Sequence, residues 1–313
     1  MRYIFFVNPK AGQGKGVNKL IDNIREITDR YGFKTDVFVT TGSLDAERKA
    51  KLAIEKLNGE EARFYACGGD GTANEVLNGI YGHDNISLGI IPIGTGNDTV
   101  RNFKKGGDFL DIEKQIMGKD EKIDVVKCTG NLNGKYDSRY FVNMCNIGFD
   151  CNVAEFAGRL KKKPLIAGSA AYIIAVFGMF IEKKGISLSI TENDKLLKQG
   201  KMLLCAISNG SYCGGGICSS PKAVMNDGKF DLNIVYDLPR TKFLKMFPSY
   251  TKGTHFDSPE AEYLAFEKKC TKLSIKPYNI EEFFICTDGE IFTTDGIDME
   301  ICPKAVNFIV PAK

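Results

Sequence analysis

Histidine is nearly absent from this chain: His83 and His255 are the only two in 313 residues. Ten cysteines are present, yet they are scattered and include no Cys-x-x-Cys pair. So few imidazoles and no paired thiols count against a zinc site, and the cysteines read as free thiols of a reducing cytosol. The chain also has no basic tail and no acidic block, and its net charge is only +3. Nothing in that balance points to nucleic acid. Internal repeats, low-complexity tracts and long linkers are missing too. The opening run MRYIFFVNPK is too short for a signal peptide. The one long uncharged stretch, Pro164–Ile181, lies between Lys161–Lys163 and Lys183–Lys184. It only just reaches the ~17–25 residues of a spanning helix. It opens with proline and contains Gly168 and Gly178, so we expect a buried or interfacial helix of a soluble protein.

What is present suffices for a core. Hydrophobic residues make up 43% and charged residues 26%, and the length favours two domains. The first third alternates. Arg2–Asn8, Thr35–Thr40, Arg63–Cys67 and Ser87–Ile91 read as buried strands. Between them, Val17, Leu20, Ile21, Ile24, Ile27 and Tyr31 recur at helical spacing. Ala46, Ala50, Ala53 and Leu57 mark a second helix with Ser43 as its expected N-cap, Ala73–Tyr81 a third, and Thr99–Phe103 begins another. Such alternation implies a parallel sheet covered on both faces.

The character changes near Lys122. Asp124–Cys128, Arg139–Cys145, Ile186–Thr191, Met202–Ser208, Phe230–Tyr236, Leu273–Lys276 and Phe283–Thr287 are β-rich, with turns at Asn133-Gly134 and Asn193-Asp194. Helical segments fall near Val153–Arg159 and Gly168–Ile181, and another follows Pro239. The expected fold is therefore α/β: an N-terminal three-layer α/β domain over residues 1–123, then a mainly antiparallel β-sandwich over 124–303. Asn307–Val310 reads as a strand returning to the first domain, which residues 304–313 would complete. Exposed strand edges in the second half leave homodimerisation open.

Three glycine-rich loops each follow a strand of the first domain, where an open parallel sheet binds its ligands. Glycine lets backbone amides approach phosphate oxygens, and a following helix N-terminus adds positive charge. The first, Asn8-Pro9-Lys10-Ala11-Gly12-Gln13-Gly14-Lys15-Gly16, fits neither a Walker nor a Rossmann pattern and alone reads equally well as an ordinary turn. The second, Gly68-Gly69-Asp70-Gly71-Thr72-Ala73-Asn74-Glu75, surrounds one carboxylate with glycines. A carboxylate beside phosphate-cradling amides calls for an intervening cation, Mg²⁺ by preference. The third, Gly94-Thr95-Gly96-Asn97-Asp98, repeats the device.

These loops resemble the catalytic domain of diacylglycerol kinases and sphingosine-type lipid kinases. The likeness continues through Asn209, Gly214-Gly215-Gly216, Pro221-x-Ala223, Asp227-Gly228-x-x-Asp231, Lys252-Gly253-x-His255 and Asp288-Gly289-Glu290. It spans nearly the whole chain, in order, and fits the compact bacterial form. The resemblance implies an ATP site built from Asn8, Pro9, Lys10, Ala11, Gly12, Thr40 (Thr41 close behind), Gly69, Asp70, Gly71, Thr72, Ala73, Asn74, Glu75 and Thr95. Asp70 and Asp98 would organise a catalytic Mg²⁺ and its waters. Glu290 would be the base with Asp288 its partner. A structural Mg²⁺ would sit on the Asp227 carboxylate and the carbonyls of Val224 and Lys229. Thr99-Val100 departs from the family's usual bulky apolar residue followed by alanine, and Phe283-Phe284-Ile285-Cys286-Thr287 departs before Asp288.

Phosphoryl transfer is mostly positioning and charge stabilisation, so these parts suffice. The implied reaction moves the ATP γ-phosphoryl group to a lipid hydroxyl, diacylglycerol-like first, by a cytoplasmic enzyme that visits the membrane surface during turnover. The rivals are a kinase of a soluble acceptor such as NAD or a sugar phosphate, and a non-catalytic lipid or nucleotide carrier. His255 has a structural reading, Arg101 reads equally as a phosphate contact or a surface ion pair, Lys161–Lys163 as a solvated basic turn, and the Tyr172–Phe180 stretch has a place in the core.

Overall fold

Strand β1 (Arg2–Val7) is apolar over five consecutive buried residues, the mark of a strand covered on both faces. The computed structural model describes residues 1–14, 16–103, 106–149, 151, 185–257 and 261–313. Within them the chain divides into two compact units, Met1–Ile123 with Lys304–Lys313, and Asp124–Pro303. The helices expected near Val153–Arg159 and Gly168–Ile181 lie outside the described residues, as do Lys161–Lys163 and the Tyr172–Phe180 stretch. No helix among the described residues is long and apolar enough to cross a membrane.

In the first unit β1 pairs in parallel with β2 (Lys34–Val39) and β3 (Ala62–Gly68), and β3 with β4 (Ile86–Pro92). Val7 faces both Val39 and Cys67, while Cys67 faces Ile91. The strands therefore end level, and the segments that follow them leave from one edge. Helix α1 (Val17–Arg30) and the short α4 (Ile112–Ile116) cover one face, packing Ile24, Ile27, Ile112 and Ile116 against Phe5, Tyr65 and Ile91. Helices α2 (Asp45–Leu57) and α3 (Asp70–Ile80) cross closely: a β-carbon on Gly79 would lie 2.6 Å from that of Ala50. The helix expected at Thr99–Phe103 is a single 3-10 turn, Thr99–Asn102.

Asn307 and Phe308, from the last strand β15 (Ile297–Val310), pair in parallel with Ser87 and Leu88 of β4. Phe308 is fully buried and stacks on Phe103, ring centroids 4.3 Å apart.

The second unit is antiparallel. Its strands are β5 (Lys119–Leu132, entering from the first unit), β6 (Lys135–Phe141), β7 (Met144–Gly148), β8 (Ile186–Glu192), β9 (Lys195–Ser208), β10 (Phe230–Tyr236), β11 (Ala265–Cys270), β12 (Lys272–Pro277), β13 (Phe283–Thr287) and β14 (Glu290–Thr294), closed by the first part of β15. The order is β14-β13-β7-β9-β8-β12-β15, with β10 and β11 branching from β9 and the β5–β6 hairpin from β15. Cys145, Cys205, Phe230, Leu273 and Ile285 meet in its main core. Both expected hairpin turns form. Asn133 and Gly134, and Asn193 and Asp194, all have positive φ, which two-residue turns between twisted strands require. The β-run expected over Arg139–Cys145 is two strands, broken at Val142–Asn143.

Helix α5 (Arg240–Lys252) follows Pro239 as expected, and behind it His255 is buried between Tyr250 and Phe256. Burial pushes the imidazole down to about 4.

Truncating Phe308→Ala empties a closed core site, and should cost the first unit about 3–5 kcal/mol in urea denaturation. His255 gives the fold an acid dependence. Its folded pKa lies below the unfolded value of about 6.5, so the unfolded chain takes the proton first. Stability is then lost as pH falls through about 6.5 and fully by about 4, on the order of 3 kcal/mol. His255→Phe should flatten that part of the midpoint-against-pH curve.

Candidate active site

The loops after β1, β3 and β4 are held together by contacts that only glycine permits. A β-carbon on Gly94 would lie 2.4 Å from the Gly69 α-carbon, and one on Gly12 2.9 Å from the Ile93 carbonyl oxygen. The Gly94 amide donates to the Gly68 carbonyl at 3.1 Å. Asn8 ties the first loop to the second. Its amide donates to the Cys67 carbonyl at 2.9 Å, and its Nδ2 to Thr72 Oγ1 at 3.1 Å. The Asn8 Oδ1 accepts from the Lys10 amide. Lys10 is exposed, Pro9, Ala11 and Gly12 partly so. Asn97, in the left-handed region, donates from Nδ2 to the carbonyls of Pro92 and Gly94, each at 2.9 Å.

Asp70 opens α3 three residues earlier than the apolar pattern suggested, so its loop is a helix N-terminus, where unpaired amides favour anions. Its carboxylate accepts from the Asp98 amide (3.1 Å), the Thr99 amide (3.0 Å) and Thr99 Oγ1 (2.9 Å). Thr99, a departure from the family pattern, is thus one of the residues that orient Asp70. Asp98 is nearly buried, with Arg101 Nε at 3.5 Å. A β-carbon on Gly96 would lie 3.2 Å from Asp70 Oδ2 and 3.4 Å from Asp98 Oδ2, so the missing side chain leaves room between the two carboxylates. Among the described residues no three His, Cys, Asp or Glu gather as a metal cage. Mg²⁺ beside nucleotide phosphates needs only one or two carboxylates and keeps its waters. The Asp70–Asp98 pair and the opening at Gly96 fit that requirement.

The other expected nucleotide residues are spread around this nest. Gly71 and Thr72 lie in the first turn of α3, and Thr95 is exposed in the third loop. Ala73 and Asn74 are buried in α3, where Asn74 Oδ1 accepts from Asn78 Nδ2 at 3.0 Å. Thr40 is buried after β2, its amide donating to the Val7 carbonyl. Glu75 Oε2 accepts from the Ala46 amide at 3.0 Å and so caps α2. The expected cap Ser43 does not serve: Leu44 occupies the cap position with no side-chain bond. Asp45 fixes the same corner. Its Oδ2 accepts from the amide and hydroxyl of Thr41, and Lys49 and Arg48 flank it. The Lys49 ammonium holds its carboxyl well below the usual carboxylate range.

In the second unit Asp288 and Glu290 have different surroundings. The break between β6 and β7 turns three successive amides toward Asp288: Val142 (2.8 Å) to Oδ2, Asn143 (3.1 Å) and Met144 (2.9 Å) to Oδ1. Asn209 braces that break, donating from Nδ2 to the carbonyls of Asp124 (2.9 Å) and Val142 (2.7 Å). Glu290, two residues on and across a tight turn, pairs instead with Arg139 at 3.1 Å. Asp227 lies elsewhere in this unit. Its Oδ1 accepts from the Lys229 amide, and its Oδ2 takes the ammonium of Lys269 at 2.8 Å. The Lys269 ammonium sits on this carboxylate at hydrogen-bond distance, so a metal ion would have to displace it, and the residues do not fit one as they stand. Val224 is exposed beside it.

Sequence reasoning missed Asp45, Thr99, Arg139 and Lys269. Thr99 had a local signal, a hydroxyl just inside a turn that follows an acid. The partner of Lys269 depends on strand register and that of Arg139 lies 151 residues away, which no local pattern carries.

A family profile described as the diacylglycerol kinase catalytic domain matches residues 2–128. A second, described as the YegS C-terminal NAD kinase beta sandwich-like domain, matches residues 143–310. A protein of Staphylococcus saprophyticus named diacylglycerol kinase is 30% identical, over 90% of this chain and 87% of that protein. One of the same name from Staphylococcus haemolyticus is 31% identical, over 90% and 80%. Among solved structures, a putative diacylglycerol kinase from Bacillus anthracis superposes with a TM-score of 0.73 at 22% identity, covering 99% of this chain and 97% of that one. Another from that organism gives 0.71 at 23% identity, covering 99% and 96%. The fold is shared with those structures, and by profile and by identity to its curated relatives the chain belongs to the diacylglycerol kinase family of enzymes.

Proposed function

We propose that this protein transfers the γ-phosphoryl group of ATP to a lipid hydroxyl, with a diacylglycerol-like alcohol as the preferred acceptor. The observation that carries the reading is the Asp70–Asp98 pair facing across Gly96 at a helix N-terminus. Two carboxylates are gathered there beside amides suited to phosphate. In this reading Asn8, Pro9, Lys10, Ala11, Gly12, Gly69, Gly71, Thr72 and Thr95 line the nucleotide site. Thr40, just after β2, and Ala73, Asn74 and Glu75, within α3, shape it from behind. Asp70 and Asp98 would hold magnesium, directly or through water. When bound, that ion supplies positive charge against the phosphate oxygens. The chain's own part is to orient the phosphates and keep the two carboxylates fixed.

Glu290 is the base in this proposal. It takes the hydroxyl proton of the lipid as the new oxygen–phosphorus bond forms and the bond from γ-phosphorus to the bridging oxygen breaks, leaving ADP. Asp288 acts through position. Three amide donors saturate its carboxylate and fix the turn that presents Glu290. A lipid acceptor brings the enzyme to a membrane surface during turnover, and we place it in the cytoplasm, peripheral to that surface.

One observation favours a second acceptor class: the second profile is described by its likeness to the NAD kinase sandwich. The deciding experiment is ATP consumption with Mg²⁺ against mixed micelles of diacylglycerol, sphingosine or ceramide, with NAD in a separate well. Phosphate on diacylglycerol supports the proposal, while phosphate on NAD alone overturns it. Two substitutions separate the acidic roles. Glu290→Gln should lower kcat by about 10²–10⁴-fold with ATP binding and thermal midpoint little changed. Asp288→Asn keeps one oxygen for the Asn143 and Met144 amides but turns an NH2 toward the buried Val142 amide, and should cost stability outright, roughly 1–3 kcal/mol. A stable, inactive Asp288→Asn beside an active Glu290→Gln would reverse the two assignments.

A further inference from the structure

We infer that the ammonium of Lys269 takes the place of a structural dication in the Asp227–Asp231 loop, so that this loop is formed without metal. Strands β10 and β11 are antiparallel, and their register sets Asp231 directly opposite Lys269. From there Lys269 Nζ reaches three oxygens: Asp227 Oδ2 at 2.8 Å, Asp231 Oδ2 at 3.1 Å and the Lys222 carbonyl at 3.2 Å. An ammonium has three protons and no acceptor, so each proton finds one oxygen. The geometry is that of a filled cation site, with two of its ligands anionic.

The neighbouring contacts fix those ligands by protein groups alone. Lys222 donates to Glu267 Oε2 at 2.6 Å, on the same strand as Lys269, which holds its carbonyl in place. The far side of the loop is pinned by Asp124, fully buried. Its amide donates to the Met225 carbonyl at 2.7 Å, and its Oδ2 accepts from the Gly228 amide at 2.7 Å. Asp227 Oδ1 closes its own turn on the Lys229 amide at 3.1 Å. Asp231 has a side chain 2% exposed, a burial that a carboxylate tolerates only with a charged partner. Lys269 supplies that partner permanently. A magnesium ion would need about six oxygens at close to 2.0 Å, and here it would have to displace an ammonium that register, not chance, brings to the site.

The test is thermal unfolding of the full chain without nucleotide, in excess chelator and in millimolar Mg²⁺. This readout is independent of whether the protein phosphorylates a lipid. The wild-type midpoint should differ by less than about 1 °C between the two conditions, because nothing at this cluster binds the ion. Lys269→Met leaves two carboxylates side by side. Its midpoint should fall by about 4–8 °C in chelator and recover in part with Mg²⁺, and the recovery should vanish when Asp227→Asn is added. A wild-type rise of several degrees with Mg²⁺ that Asp227→Asn abolishes would overturn the inference. A rise that survives Asp227→Asn arises elsewhere and leaves Lys269 as the cation here. Should Lys269→Met fail to fold, the wild-type and Asp227→Asn pair decides the matter alone.

Discussion

The hydrogen bond from a backbone amide to a distant carboxylate is the interaction on which the loops around Asp70, Asp288 and Asp124 depend. Asp70 receives the amides of Asp98 and Thr99; Asp288 those of Val142, Asn143 and Met144; Glu75 that of Ala46; Asp124 that of Gly228. Each bond carries full charge on the acceptor, which makes it about twice as strong as a neutral one. Each also satisfies donors that an irregular segment would otherwise leave unpaired. Loops built this way are ordered by named contacts, not by length or sequence proximity.

That rule also separates the acidic residues by capacity. A carboxylate offers about four lone-pair sites. Asp288 uses three or more of them on amides and is nearly buried, so little remains for chemistry. Glu290 pairs with the guanidinium of Arg139. The turn between them, with Asp288 and Gly289 both at positive φ, places an amide-bound carboxylate and an arginine-paired one two residues apart. Sequence assigns Glu290 as the base and Asp288 as its partner only by resemblance; what sets their surroundings apart is the break at Val142–Asn143 and the Arg139 pair.

Local chemistry was legible throughout, and long-range partnership was not. Apolar periodicity located β1 to β4 and α1, and Asn133-Gly134 and Asn193-Asp194 marked real hairpins. The glycines of the three loops announced close backbone approach before any distance was known. The strand run over Arg139–Cys145 hid its interruption, because Phe141, Val142 and Met144 are as apolar as strand residues elsewhere. What interrupts it is a carboxylate 146 positions later. Thr99 looked like a departure from a pattern and proves to be a ligand of Asp70. The start of α2 was misjudged for a related reason: Glu75 of α3 caps it at the Ala46 amide, and its own first residue Asp45 ties it back to Thr41 after β2.

Charge compensation inside the second unit shows the same principle from the cationic side. Arg139, Lys222 and Lys269 each meet a carboxylate far off in sequence, and for Lys269 strand pairing itself sets Asp231 opposite. An ion bound from solution can be lost to dilution or chelation. A lysine on a paired strand cannot leave without breaking the strand, so the charge at Asp231 is neutralised as a consequence of folding. A loop ordered in that manner has its geometry fixed by register, and register in turn is fixed by the alternation that buries Phe230, Leu232 and Ile234 on one side of β10. The cation at Asp231 is thus set by the same register that buries the core beneath it, whereas the charge of Asp98 is met from within its own turn, by Arg101 Nε at 3.5 Å.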